Sequence, residues 1–228
     1  MTLGVICFVI VGEYFFRHYV LFWMPTIGTL RVNDMISLFL IYFLLLIGIG
    51  RVMKTNWRQD LAGIWQVTQE SAQSWMFLFW FLLLVLSITV LPFFDKLFLG
   101  RFTLAMMVSS YRNSVLWLEN LTPVLKVLSF ISVNGVFVPI AEEYLWRGIV
   151  QPRFLRILPT GLAVGITAVL FSFKHVLVDA SWGRFLTLIA FGFICGILAM
   201  QKGWKSSAVL HIFINTISTI MGLILGLS

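Results

Sequence analysis

The chain has 228 residues, of which 60% are hydrophobic, 16% aromatic and only 11% charged, and its mean hydropathy is +0.99. A soluble domain is nearer half apolar and about a quarter charged, so this chain cannot cover its surface with polar groups in water. That excludes a soluble globular domain, a disordered chain and an ordinary nucleic-acid binder, and leaves the bilayer as solvent. The net charge of +7 then reads as basic residues flanking membrane spans and meeting anionic headgroups, with no nucleic acid implied. Cys7 and Cys195 both sit in apolar runs, so no disulfide or metal framework follows.

In chain order, the first apolar run covers 3–24 and ends at Pro25. It has no basic n-region and no small-residue cleavage site, so it reads as a retained span. Glu13 and Arg17 within it are four apart and can pair on one helix face. A second span covers 35–50, with Arg51, Lys54 and Arg58 after it. Residues 57–74 are mixed, with Trp57, Leu61, Ile64 and Trp65 near helical spacing, which predicts a helix lying at the interface. A third span covers 75–94 and is expected to end at Pro92. Residues 102–118 carry Ser109, Ser110, Arg112, Asn113 and Ser114, which are expensive against lipid, so this stretch is either a buried tilted span or an interfacial segment. Further spans follow at 125–149, 160–178, 184–200 and 206–227. The expectation is an all-α polytopic transmembrane helix bundle of seven or eight spans, forming a single integral membrane domain over 1–228.

Charged and polar groups inside spans are costly, so each is a functional candidate. In the last hundred residues they form three sets. AEEYLWRG carries Glu142, Glu143 and Arg147, FSFKH carries Phe171 and His175, and HIFIN carries His211 and Asn215. Glu143 and Arg147 are one turn apart and can pair, whereas Glu142 is turned by about 100° and has no cation nearby in sequence. Phe171 shares a face with His175, and His211 with Asn215. Single pairs of this kind can serve as interhelical packing bonds. Two adjacent acids at membrane depth are harder to explain that way, because like charges so close do not both ionise cheaply. Three such faces can build one wet pocket within 125–220.

The series EExxxR, FxxxH and HxxxN on successive apolar helices resembles the three motifs of the CAAX protease and bacteriocin-processing family, whose members include the type II CAAX prenyl proteases. The resemblance covers about residues 125–220; the N-terminal hundred residues match only in being hydrophobic. It implies a glutamate-dependent intramembrane protease that hydrolyses a peptide bond with an activated water, without an acyl-enzyme. Hydrolysis needs a base, a holder for the water and donors for the oxyanion. Glu142 is then the expected base, with His175 sharing its water. His211 and Asn215 are the expected oxyanion donors, Glu143 and Arg147 the supporting pair, and Phe171 a substrate contact.

No cofactor and no metal are implied. The expected partner is a membrane-associated or lipidated protein cut near its C-terminus, and the setting a cell membrane, with the chain's compactness favouring a prokaryotic one. Three rivals remain. A zinc or di-metal centre lacks H-E-x-x-H or E-x-x-H ligand spacing. A Cys–His transpeptidase would need a base beside Cys195, and none is near in sequence. A non-catalytic scaffold or bacteriocin-immunity protein has no need of both glutamates and both histidines. Within the protease reading, C-terminal sorting signals of surface proteins are an alternative substrate.

Overall fold

A computed structural model of the chain describes residues 2–15, 56–99, 131–179 and 182–227, together with positions 39, 42–44, 46–48, 50, 51, 54 and 128. Arg17 and the stretch 102–118 lie outside the described residues. The described residues are helical apart from short turns, with no strand among them. Helices satisfy their backbone groups internally, which the hydrocarbon core demands.

Helix α1 spans Thr2–Phe15. Positions 42–44 and 46–48 are also helical, and bury Tyr42 and Leu46. The mixed segment folds as two short helices, α2 (Trp57–Leu61) and α3 (Ile64–Ala72), capped at Asn56 and joined through Gly63 at a φ of 79°. Trp65 is exposed on α3, Tyr144 donates to Asp60 at 2.7 Å, and Lys205 donates to the Ala62 carbonyl. This short pair is thus bound to the rest of the bundle through Asp60 and Ala62.

Helix α4 spans Trp75–Leu99. It passes straight through Pro92 instead of ending there. Proline removes one backbone donor and crowds one turn, but a spanning helix held by its neighbours can absorb the loss. One side of α4 exposes Phe79, Leu82, Leu86, Phe93 and Leu97, while Phe77 and Leu84 are buried. Beyond the proline, Asp95 is fully buried. Its carboxylate accepts from the Leu186 and Thr187 amides at 2.7 and 2.9 Å and from the Thr187 hydroxyl. An acid from one helix thus caps the N-terminus of another, where free N–H groups and the helix dipole favour negative charge.

Residues 131–154 form one continuous helical run, α5. Two π-helical turns, Ile131–Phe137 and Tyr144–Val150, flank the α-helical Val138–Glu143, and Gln151–Phe154 closes it. Helices α6 (Thr160–Asp179), α7 (Phe185–Lys202) and α8 (Trp204–Leu227) complete the fold. Among the described residues, three stretches are long and apolar enough to cross a membrane: Trp75–Phe98, Thr160–Leu177 and Phe185–Lys202.

The most extensive packing joins α6 to α7. It depends on Gly192 and Gly196, one turn apart on α7. A Cβ on Gly192 would meet Ala168 Cα at 3.0 Å, and one on Gly196 would meet Val164 Cγ1 at 2.8 Å. Small residues let helix backbones approach where no water drives them together. The same closeness presents the two glycine carbonyls to α5: Arg147 donates to Gly192 O at 2.9 Å and Gln151 to Gly196 O at 3.0 Å.

Candidate active site

The adjacent glutamates of α5 diverge, as a helical step of about 100° requires. Glu143 is fully buried and accepts from three donors: Arg147 NH1 at 2.9 Å, His211 Nδ1 at 3.0 Å and Ser207 Oγ at 2.6 Å. Arg147 in turn reaches Gly192 O, and its guanidinium lies 4.7 Å from the Phe171 ring centroid. Glu143 therefore ties α5 to α8 and, through Arg147, to α7. A carboxylate holding three donors is well placed to orient its neighbours and poorly placed to receive a substrate proton.

Glu142 faces the other way, towards α6 and the N-terminal helices. Its Oε1 accepts from Lys174 Nζ at 2.6 Å and from Tyr42 OH at 2.7 Å. Lys174 also pairs with Glu13 Oε2 at 3.0 Å and donates to the Tyr42 oxygen at 2.8 Å, while Tyr42 lies 3.1 Å from Glu13 Oε1. The phenol has one proton, so it can donate to one carboxylate at a time. Glu13 is fully buried and Lys174 1% exposed.

The two histidines approach different oxygens of Glu142. His175 Nδ1 lies 2.9 Å from the Phe171 carbonyl, which only accepts, so this nitrogen carries the proton. In a neutral ring Nε2 is then an acceptor, and it sits 3.6 Å from Glu142 Oε1. Two acceptors at that separation do not bond each other but can share the two protons of one water. His211 Nδ1 likewise donates to Glu143, and its Nε2 lies 3.9 Å from Glu142 Oε2. Only the imidazolium form of His211 would donate from both nitrogens.

The aromatic residues set these rings. Phe171 is 1% exposed and packs against Phe191, Trp146 and the His175 ring, with centroids 5.8, 6.0 and 4.7 Å apart. Phe191 sits edge-on to His211 at 4.5 Å. Phe171 is thus the floor beneath both imidazoles. Asn215, half-buried one turn beyond His211, donates to the Asn134 carbonyl at 3.1 Å, which binds α8 to the first π-helical turn of α5. Its geometry joins it to that backbone instead of to the carboxylate cluster. Gly135 permits the contact, since a Cβ there would meet Thr216 Oγ1 at 2.9 Å.

The structure therefore gathers Glu142, Glu143, Arg147, His175 and His211 into one buried cluster floored by Phe171, and leaves Asn215 at its edge. Sequence reasoning passed over three members: Lys174, Glu13 and Tyr42. Glu13 meets Lys174 and Tyr42, while Arg17, its expected partner, lies outside the described residues. A charge count was the available signal. Glu142 had no cation within a turn, Lys174 had no acid within a turn, and Glu13 sat in an apolar run. Among the described residues of the assembled cluster, three carboxylates (Glu13, Glu142, Glu143) meet two cations (Arg147, Lys174).

Residues 124–217 match the model of the family described as type II CAAX prenyl endopeptidase Rce1-like, which is what this stretch of the chain is similar to. No curated protein and no solved structure matches the chain. The match takes in all three motifs. Glu13 and Tyr42 lie outside it and still reach the cluster.

Proposed function

We propose that this protein is a glutamate-dependent intramembrane endopeptidase that hydrolyses a peptide bond near the C-terminus of a membrane-associated or lipidated protein. The observation that carries the reading is the buried Glu142 carboxylate facing the acceptor nitrogen of His175 at 3.6 Å. A water held there gives up a proton to Glu142 as its oxygen adds to the scissile carbonyl. The proton then passes to the departing amine. No bond to the protein forms, and no cofactor enters the scheme.

His175 holds the water. Its Nδ1 bond to the Phe171 carbonyl fixes the tautomer this requires, and the Phe171 ring fixes its plane. His211 Nε2, 3.9 Å from Glu142 Oε2, faces the developing oxyanion and donates to it when both ring nitrogens carry protons. Asn215 has a second amide proton beyond the one given to Asn134 and supports that position. Glu143 and Arg147 hold His211 and α7 in register. Burial among aromatic rings keeps the dielectric low, so each of these donors is worth more than it would be in water.

The test has two arms. Comparing intact C-termini of membrane and secreted proteins with and without the enzyme identifies its products. Purified Glu142→Gln protein is expected to bind a product-defined peptide and fail to cleave it. Cleavage at the wild-type rate would overturn the assignment of the base.

A further inference from the structure

Resting on the reading of Glu142 as the base, we infer that Lys174 is shared between two carboxylates so that the base can take up a proton without stranding a buried ammonium, and that Glu13, Tyr42 and Lys174 are positioning residues supplied largely from outside the motif-bearing stretch. A base clamped to a lysine at 2.6 Å presents a difficulty. When it accepts a proton from water, its charge vanishes and the ammonium loses its partner. A buried cation without a counter-ion is among the costliest states a protein interior can hold. Glu13 removes that difficulty. Its Oε2 already lies 3.0 Å from Lys174 Nζ, so the ammonium has a second carboxylate in place before the proton moves.

The charges balance through the cycle. With Glu142 ionised, Glu13, Lys174 and Glu142 sum to one negative charge. After the water O–H breaks and its proton reaches Glu142, Glu13 and Lys174 remain as a neutral pair. Returning the proton to the leaving amine restores the start. Tyr42 assists both states, since its oxygen accepts a hydrogen bond from Lys174 and its own proton can turn from Glu142 to Glu13. Among the described residues, Tyr42, Lys174 and His175 on α6 and His211 on α8 face Glu142, and Glu13 on α1 faces it across Lys174; Glu143 and Arg147 on α5 point away. Arg147 is held by Glu143, and among the described residues Lys174 is the Lys or Arg in direct contact with the base.

The experiment is a kinetic cycle on the full chain in detergent. Glu13→Gln is expected to lower kcat by roughly 10- to 100-fold, part of the 10²–10⁴ a general base supplies, with KM little changed. Glu13→Asp, which keeps the charge, should recover most of the loss. In a Lys174→Met background, Glu13→Gln should alter kcat by no more than about twofold, since no ammonium remains to be held. Tyr42→Phe should reduce kcat while leaving KM and the melting temperature near wild type. A wild-type kcat in Glu13→Gln, or an equal loss with and without Lys174, would overturn the inference. The same holds if Glu13→Asp is as impaired as Glu13→Gln. Activity in Glu142→Gln would instead end the base reading beneath it, so the two failures are separable.

Discussion

Exchanging one oxygen for an amide at Glu143 should damage this protein more than the same exchange at Glu142. Glu143 accepts from Arg147, His211 and Ser207 at 2.9, 3.0 and 2.6 Å, and all four side chains are buried. In Glu143→Gln the Arg147 guanidinium loses its anion, and an amide nitrogen meets groups that also donate. Removing one partner of a buried pair costs about 3–5 kcal/mol. At about 2–4 °C per kcal/mol for a chain of this length, the melting temperature should fall by roughly 6–20 °C. Arg147→Met should fall comparably. The double variant should lose less than the two losses summed, by roughly 0.5–3 kcal/mol of coupling. Glu142→Gln should fall less, because Lys174 keeps Glu13 at 3.0 Å. Melting curves of detergent-solubilised protein beside single-turnover cleavage read both quantities. Equal destabilisation at the two glutamates, with a strictly additive double variant, would refute the division of labour between them.

Three more outcomes follow from the packing. Gly192→Val should separate α6 from α7 and displace Arg147, costing about 1–3 kcal/mol or more as an overpacked contact, so an unchanged melting temperature would contradict the close approach to Ala168. Asp95→Ala should remove the cap on α7 and cost about 0.5–2 kcal/mol while leaving KM unaltered; hydrogen exchange at Leu186 and Thr187 should report the loss directly. Asn215→Ala should lower turnover by roughly 10²–10³-fold if its free amide proton serves the oxyanion. A variant that instead melts early with normal turnover per folded molecule would confine Asn215 to binding Asn134.

The parts of this site legible in the sequence were those written within one turn of helix. Glu143 and Arg147 stand four apart, and their bond forms as that spacing requires. His175 above Phe171 and His211 above Asn215 were legible for the same reason, and polar groups in apolar runs drew the eye to them. Long-range pairings left no local trace: Tyr42 meets Lys174 across 132 residues, and Lys174 meets Glu142 across 32. Lys174 was hidden by its histidine neighbour, which looked like the whole content of FSFKH. Pro92 misled because a proline marks a helix end in water, where freed backbone groups are readily solvated. The π-helical turns flanking the glutamates have no composition of their own, so nothing announced them.

Tyr42 and Glu13 are made long before the lysine they hold. At roughly 5–20 residues per second, the 132 residues between Tyr42 and Lys174 take about 7–26 s to synthesise. Throughout that interval the first helix waits in or beside the bilayer with an acid whose lysine has yet to emerge from the ribosome. A carboxylate is costly in lipid, and this one gains a lysine partner when the sixth helix arrives. A chain truncated before Lys174 lacks the ion pair that joins its first helix to its sixth, so that join closes only late in synthesis.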